Sequence, residues 1–489
     1  MKTSCSLCAS GARDMCPALN VAICSQCCGS KRNRAIQCPG TCKYNPLSRL
    51  NYDAWLKIDS ALSTKMLQYL SRYYDEASFR EVVTEMLPSD SQQALGIAYA
   101  AAAYYLLFMK PLASGRLVYE IWQESEWQGL TGDESVMMQY RIPSAPALIE
   151  VQKILDHQLI ECRDLLRPER GVFVMIDRCM AKQVARFERV WCWLVDYPFF
   201  SRPAGDPVSV PDKIELILMD KIMADASKIR SGGTFKGMCG KNFGKYGRLV
   251  AKETERARVR VLNAMELHEC KAFYRLKSPR EDVRKVLDSK EDFVFVQDGN
   301  TDQPVSPAAQ YSWLRAGMSQ EVEAKLSMHF RHQDSDKNKG LLGEVLLGQD
   351  EMMIRTMSKR LFSFAKKMVA RYWGDSLEFT RECIVDVAKQ MAHRQADGRE
   401  DRNDTMPLEV RQKMADEFYR EHYERFFDDE LPALDGMTPR KAAQNARMRP
   451  RLIGVMKQHI TGIERFNKTE GTSVNIDWVL KELGLTELL

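Results

Sequence analysis

Eight of the fourteen cysteines of this 489-residue chain lie among its first 42 residues. Several are two or three residues apart, a spacing at which two thiolates can hold the same metal ion. A segment this short cannot bury a sufficient core of its own, so a cross-link must stabilise it. We therefore predict that these cysteines bind structural zinc: Cys5, Cys8, Cys16, Cys24, Cys27, Cys28, Cys38 and Cys42.

Eight thiolates suit two tetrahedral zinc sites with no open coordination position, which indicates a structural rather than a catalytic role. The most natural pairing sets Cys5/Cys8 with Cys24/Cys27, and Cys16/Cys28 with Cys38/Cys42, although the spacing leaves other pairings open. The alternative is a disulfide framework, which is typical of oxidising compartments. The opening residues, Met-Lys-Thr-Ser-Cys, lack the apolar segment of a secretion signal, so we expect reduced thiols and a cytoplasmic location.

The net charge of +5 is small but unevenly distributed. Residues 397–435 carry thirteen acidic and six basic side chains, whereas residues 438–463 carry six basic side chains and no acidic one. The two segments adjoin, so either they neutralise each other within one domain or one face remains free for an oppositely charged protein. The longest uncharged run, residues 94–109, is too short to span a membrane and predicts a buried helix. We expect a protein partner and no membrane.

The pattern predicts a multidomain, mostly helical α+β protein. Short segments rich in Val, Ile, Phe and Trp at 158–166, 171–177 and 187–197 predict a small antiparallel, barrel-like unit that closes before Pro211. A hairpin at 343–357, a helix at 358–373 and further helices from 408 to 485 follow. The predicted domains are a zinc module (1–50), a helical bundle (51–145), the β unit (150–211), a mixed α/β region (212–335) and a C-terminal hairpin-helix and helical interaction domain (340–489).

Two features are compatible with nucleic acid. Trp191, Trp193 and Tyr197 share one predicted strand face and either stack on bases, as in an OB-type barrel, or pack inside the protein. Residues 228–248 contain six glycines, six basic side chains and no acidic one, a composition that suits phosphate contact. The alternative is a solvated loop between helices at 212–228 and 248–266. The candidate nucleic-acid ligands are Arg230, Lys236, Lys241, Lys245 and Arg248.

Catalytic signals are weak. The basic segment matches neither a Walker A loop nor a GxGxxG motif, and the chain has no GxSxG or HExxH sequence. His329 and His332 form an HxxH pair without a clear third ligand, which favours surface histidines. We therefore predict no catalytic residue and favour a protein that acts by binding. The alternative is an enzyme that acts on nucleic acid or a phosphorylated ligand through residues 228–248.

The motif Cys27-Cys28-Gly29-x-Lys31-Arg32-x3-Ile36-x-Cys38-Pro39-x2-Cys42-x-Tyr44 resembles the cysteine module of a group of poorly characterised bacterial proteins. Leu434-x-Gly436-x-Thr438-Pro439-Arg440-x-Ala442-Ala443 resembles a motif near their C-termini, related to the toxin-binding domain of some antitoxins. Together with residues 158–197 and 343–373, the resemblance covers about a third of the chain. It implies a metal-stabilised scaffold or regulator, such as an accessory protein of a type III CRISPR defence system.

Overall fold

The structure is a computed structural model. It describes residues 4–12, 14–89, 92–229, 233–264, 268–300, 305, 308–322, 340–386 and 407–489. The chain divides into two compact units, one made of Met1–Thr254 with Asp404–Leu489 and the other of Glu255–Asn403. His329, His332 and Arg230 lie outside the described residues.

The cysteine-rich segment forms a small hairpin and one short helix. Strands β1 (Asp14–Cys16) and β2 (Val21–Ile23) pair antiparallel, and helix α1 (Ser25–Lys31) follows. The core of the segment consists of seven buried residues, four of which are cysteines: Cys5, Ala12, Cys16, Ile23, Cys24, Cys27 and Ile36. The hairpin is too small to fold by apolar burial alone, as expected from its length.

Five helices follow, and their apolar sides meet in one core. The uncharged run becomes α4, which buries Ala98, Ala102, Leu106 and Leu107 almost completely. The prediction of a buried helix is therefore confirmed. Among the described residues, no helix combines the length and the apolar character needed to cross a membrane. The five helices are α2 (Tyr52–Leu70), α3 (Glu76–Met86), α4 (Gln92–Phe108), α5 (Val118–Glu124) and α6 (Gly132–Arg141).

The next strands close into a five-stranded ring in the order β3-β4-β5-β7-β6, with β6 pairing back to β3 and β8 added beside β6. A helix, α7 (Arg178–Gln183), connects β5 to β6. This is the connectivity of an OB-type barrel, a five-stranded Greek-key fold. The barrel is not wholly antiparallel, because β5 and β7 run parallel where they meet. The strands are β3 (Ala145–Ile154), β4 (Leu159–Asp164), β5 (Val172–Ile176), β6 (Arg189–Tyr197), β7 (Phe200–Pro203) and β8 (Val208–Val210).

The barrel and the helices share a core, although the sequence predicts them as separate domains at 51–145 and 150–211. Side chains alternate along β6, so that Val190, Cys192 and Leu194 fill the barrel interior. Trp191 and Trp193 point the other way, into the core of the helical bundle. Two helices that follow the barrel, α8 (Asp212–Ala226) and α9 (Phe235–Lys241), and a third, α10 (Phe243–Ala264), complete this part of the chain.

The Glu255–Asn403 unit is a six-stranded antiparallel sheet in the order β10-β11-β12-β13-β9-β14. The predicted hairpin at 343–357 forms its strands β12 and β13, and Ser358 caps the predicted helix that follows, α12. Helices α11 and α12 share a core with the sheet. The elements are β9 (His268–Leu276), α11 (Arg280–Ser289), β10 (Phe293–Asn300), β11 (Ala308–Leu314), β12 (Leu341–Leu347), β13 (Glu351–Thr356), α12 (Lys359–Trp373) and β14 (Leu377–Asp386).

The last helices belong to the first unit, so the predicted domain 340–489 is divided between the two units, as is 212–335. Asp435 and Gly436 adopt positive φ angles in a turn, and Thr438 caps a helix whose first residue is Pro439, a position that favours proline. This helix ends at Gln444, and Pro450 lies in the first turn of the next helix. These helices are α13 (Leu408–Phe426), α14 (Pro439–Gln444), α15 (Arg449–Glu470) and α16 (Asp477–Glu482).

Candidate metal centre

Four cysteines meet in the N-terminal hairpin. The sulfur atoms of Cys5, Cys8, Cys24 and Cys27 all lie within 4.8 Å of one another. The Sγ atoms of Cys8 and Cys24 are 3.6 Å apart, close to the separation of about 3.8 Å that tetrahedral coordination at a Zn–S distance of about 2.3 Å requires. Within the described part of the chain, this is the one group of His, Cys, Asp or Glu residues with ligand atoms this close. The four side chains can hold a metal ion.

Local backbone geometry aims these sulfur atoms. Cys24 is the N-cap of α1, and its Sγ accepts a hydrogen bond from the backbone N–H of Cys27 at 3.4 Å. The Sγ of Cys5 accepts a similar bond from the Leu7 N–H at 3.5 Å. Both contacts place an N–H donor next to a sulfur atom, and such outer contacts orient a ligand and tune its basicity. Each Cys-x2-Cys pair therefore presents its two sulfur atoms toward one point.

Within this cluster, the pKa values of Cys8 and Cys27 are shifted in opposite directions. Hydrogen bonds from Ser10, its side chain first, lower the pKa of Cys8 to about 6. The hydrogen bond with Cys8, followed by burial, raises the pKa of Cys27 to about 12. Four thiolates this close repel one another, and a divalent cation among them offsets the repulsion. The donor set is all sulfur, which favours Zn²⁺ and other thiophilic metals over Mg²⁺ or Ca²⁺.

The other four predicted ligands line one cavity of the same module. Cys16, Cys28, Cys38 and Cys42 all border it, together with Asp14, Arg32 and Tyr44. Burial raises the pKa of Cys28 and of Cys38, and the neighbouring cysteines of the set raise both further. Cys24 of the first set also borders this cavity, and among the described residues only the first four cysteines have ligand atoms within 4.8 Å of one another.

Asn45, which the sequence analysis did not identify, organises the Cys38–Cys42 segment. It has no exposed surface, and its amide nitrogen donates to the backbone carbonyls of Cys38 at 3.1 Å and Pro39 at 3.2 Å. Its amide oxygen accepts from the Leu47 N–H at 3.0 Å and from the Asn33 side chain at 2.7 Å. Nothing in local sequence distinguishes this residue from a surface asparagine, because its role depends on burial.

The predicted nucleic-acid ligands are mostly engaged within the protein. Lys236 donates to the Ile142 carbonyl at 2.7 Å, and burial, followed by nearby Arg167, lowers its pKa to about 8. Lys245 pairs with Asp225 at 3.0 Å. Arg248 donates to the carbonyls of Glu85 at 3.0 Å and Leu87 at 2.7 Å. Lys241 is exposed at the end of α9. A role for these side chains in binding nucleic acid stays a prediction.

The expected loop at 228–248 is largely helical, because α9 and α10 begin within it. Two of its glycines allow close packing against neighbouring backbone and do not mark a flexible loop. A side chain at Gly244 would collide with the backbone of Glu85 and Met86, and one at Gly247 would collide with Pro88. The glycine content that favoured phosphate binding therefore has a structural explanation at these positions.

A substitution pair tests this explanation. Gly244→Ala is expected to lower the free energy of unfolding by about 1–3 kcal/mol, because the new methyl group displaces the α3 backbone. Gly454→Ala is the control, since nothing lies within 4 Å of a methyl group there, and alanine should add about 0.5–1 kcal/mol through helix propensity. Urea titration measures both. Stabilisation by Gly244→Ala would show that the helices do not pack this closely.

The aromatic side chains of β6 are not available for base stacking. Trp191 is fully buried and Trp193 is 1% exposed. Trp191 stacks on Phe243 with ring centroids 5.4 Å apart, and Trp193 contacts Tyr104 at 5.7 Å. Of the two interpretations in the sequence analysis, packing inside the protein is the one that the structure shows.

The comparisons with known proteins identify no relative. No protein-family model, no curated protein and no solved structure matches this chain.

Proposed function

We propose that this protein is a non-catalytic, zinc-stabilised scaffold or regulator that acts by binding another protein. The observation that carries the proposal is the four-sulfur cluster of Cys5, Cys8, Cys24 and Cys27, which leaves a metal no open position for substrate. The resemblance to bacterial cysteine-module proteins supports a role in a bacterial regulatory system, such as antiviral defence of the CRISPR type. In that role the metal stabilises the fold, and surfaces away from the metal centre bind the partner.

We assign zinc to both cysteine sets. The second ion would bind Cys16, Cys28, Cys38 and Cys42, whose side chains border one cavity. The side chain of buried Asn45 donates to the Cys38 carbonyl at 3.1 Å, and the side chain of Asn51 donates to the Cys42 carbonyl at 3.3 Å. In the folded module these bonds orient the backbone that carries two of the four ligands.

The zinc module is attached firmly to the rest of its unit. Arg32 forms a two-pronged ion pair with Asp133 at the start of α6, and Arg34 donates to Ser135 in the same helix. Arg49 donates to the Phe199 carbonyl, between β6 and β7, at 2.6 Å. The module therefore supports the bundle and the barrel.

The best docking surface is on α13. Val410, Met414 and Phe418 are four residues apart, so they form a stripe on one side of the helix. Their exposed fractions are 44%, 56% and 65%, while Ala415, Tyr423 and Phe426 of the same helix are buried. An exposed apolar stripe of this kind is typical of a protein interaction site. We call Val410, Met414 and Phe418 the α13 stripe.

The charge of the C-terminal segment supports this choice over a purely electrostatic surface. Basic side chains of residues 438–463 pair within the protein: Arg451 with Asp435 at 2.7 Å, Arg449 with Glu487 at 2.7 Å, and Lys457 with Glu150 at 2.6 Å. Of these three pairs, Arg451–Asp435 joins the two adjoining segments, whereas Glu487 and Glu150 lie outside residues 397–435.

The alternative, an enzyme that acts through residues 228–248, has less support. Lys236, Lys245 and Arg248 contact protein groups, and the glycines lie in packed helices. The OB-type connectivity of the barrel is the observation in favour of nucleic acid, because barrels of this kind often bind oligonucleotides. The experiment below therefore includes nuclease treatment.

The test is affinity purification of the tagged full-length chain from its native host. Met414→Glu/Phe418→Glu should abolish recovery of the main partner, because two buried charges at an interface oppose binding. Leu216→Glu/Met223→Glu is the matched control, with two residues of α8 that are 67% and 58% exposed, and it should retain the partner. Retention by the α13 variant would contradict the docking surface. Loss of the partner after nuclease treatment would favour the nucleic-acid alternative.

A further inference from the structure

The α13 stripe is followed along the chain by an acidic segment. Residues 421–430 carry five acidic side chains and one basic side chain. Residues 407–420, by contrast, carry three acidic and three basic side chains, so their net charge is zero. We call residues 421–430 the acidic end. Its acidic residues are all exposed: Glu421, Glu424, Asp428, Asp429 and Glu430.

Arg440 of α14 offsets only part of this charge. It pairs with Asp428 at 3.4 Å and, at 2.6 Å, with Glu482, so one guanidinium group serves two carboxylates. The acidic end also includes the C-terminal turn of the 19-residue helix α13, where the backbone carbonyls add about half a negative charge. The acidic end therefore has a negative potential that favours a positively charged partner.

The acidic end continues the surface of the α13 stripe. Glu421 lies three residues after Phe418 and seven after Met414, so it starts from the same side of the helix. The ring of His422 stacks on Phe418 with centroids 6.3 Å apart, which joins the last residue of the stripe to the acidic end. One continuous surface thus has an apolar part at its N-terminal end and an acidic part at its C-terminal end.

We propose that the partner docks on α13 through an amphipathic helix that combines apolar residues with Lys and Arg. The inference rests on the proposed function, because it names the chemistry of the partner for the same docking surface. Apolar residues three and four apart on the partner helix pack against a stripe such as Val410, Met414 and Phe418. Lys and Arg on the same helix meet the acidic end, which fixes its orientation and speeds its association.

Fluorescence anisotropy of the full-length chain with two labelled helical peptides of about 18 residues tests the charge requirement. Both peptides have leucine at every third and fourth position, and the other positions are lysine in one peptide and glutamate in the other. The Leu/Lys peptide should bind at least about tenfold more tightly at low salt, and the difference should shrink at high salt because exposed charges are screened. Equal affinities, or no binding of the Leu/Lys peptide, would overturn the inference.

The stripe variant separates this inference from the proposed function. Met414→Glu/Phe418→Glu should abolish binding of the Leu/Lys peptide. Equal binding of both peptides that this variant abolishes would contradict the basic partner and leave the docking surface in place. Peptide binding that the variant leaves intact would contradict the docking surface as well. A wild-type dimer in sedimentation velocity that the variant dissociates would also overturn the inference, because a second copy would then cover the stripe.

Glu424→Gln/Asp429→Asn/Glu430→Gln removes three charges of the acidic end and keeps the size of each side chain. The affinity for the Leu/Lys peptide should fall about tenfold, since each exposed pair contributes a few tenths to about 1 kcal/mol. An equal loss in the matched control would overturn the assignment, because binding would then follow total charge. The control neutralises three exposed acidic residues outside α13: Glu169→Gln, Asp206→Asn and Asp220→Asn.

Discussion

Cys8→Ser is expected to unfold the N-terminal module and thereby to release the metal ions that its two cysteine sets hold. The core of that module is seven residues, and without the cysteines it retains only Ala12, Ile23 and Ile36. Three small or medium side chains cannot offset the conformational entropy of about forty ordered residues. Structural zinc contributes about 10–16 kcal/mol of apparent binding free energy in small domains, so the module should fold only when metal is bound.

Elemental analysis and limited proteolysis measure this result. Because Cys8 is exposed, its replacement removes a ligand without creating a cavity. Cys179→Ser is the matched control, an exposed cysteine outside the module that should leave the metal content unchanged. The wild-type chain should contain two zinc ions if both sets bind. A metal-free wild-type chain whose module resists proteolysis would contradict the prediction.

Deleting residues 431–489 is expected to leave an aggregating protein rather than a folded remainder. Helix α15 packs on the barrel, where Thr461 donates to the Arg186 carbonyl at 2.6 Å. Phe187, between α7 and β6, is buried in the same core as Leu452, Met456 and Ile460 of this helix. Truncation would expose that core and leave charged barrel residues without partners. The C-terminal segment is therefore a structural part of its unit as well as the neighbour of the α13 stripe.

A point substitution at Lys457 tests the charge pairing of the C-terminal segment separately from its contribution to the core. Glu150 is 3% exposed, and Lys457 contacts it at 2.6 Å. Burial opposes its ionisation, but Lys457 and Arg189 outweigh burial and hold the pKa of Glu150 below its ordinary value. The stability from this pair is therefore present above the unfolded pKa of about 4.3, and it is lost as the pH falls through the lower folded value.

Lys457→Met should lower the free energy of unfolding at pH 7 by about 2–4 kcal/mol, because it leaves a buried carboxylate with fewer partners. The difference from wild type should shrink as the pH falls through the lowered folded pKa of Glu150, because protonation removes the charge that Lys457 pairs with. Chemical denaturation at pH 7, 5 and 3 measures it. Lys441→Met is the control, since Lys441 is an exposed lysine of the neighbouring helix α14. For the deletion of residues 431–489, a soluble product that unfolds cooperatively would contradict the shared core.

Part of the site follows from sequence spacing alone. A Cys-x2-Cys pair brings two sulfur atoms to one point in a short segment, so the first set of four could be predicted as two local pairs. Asn45 could not be predicted, because it acts through contacts with Cys38, Pro39, Asn33 and Leu47 that form only in the folded module. The cavity lined by Trp55, Tyr104, Arg141 and Tyr197 could not be predicted either, since its lining comes from four separate stretches of the chain.

The sequence by itself determined the metal-binding residue types, the buried α4 helix and three barrel strands, because each depends on local spacing or alternation. Only the tertiary structure decided how these parts combine. Trp191 and Trp193 could stack on bases or pack on helices until α4 and α10 were placed against β6. Gly244 could lie in a loop or in a close helix contact until α3 was beside it. Local patterns limit the conformation of a segment, whereas burial and charge pairing depend on which distant segment covers it.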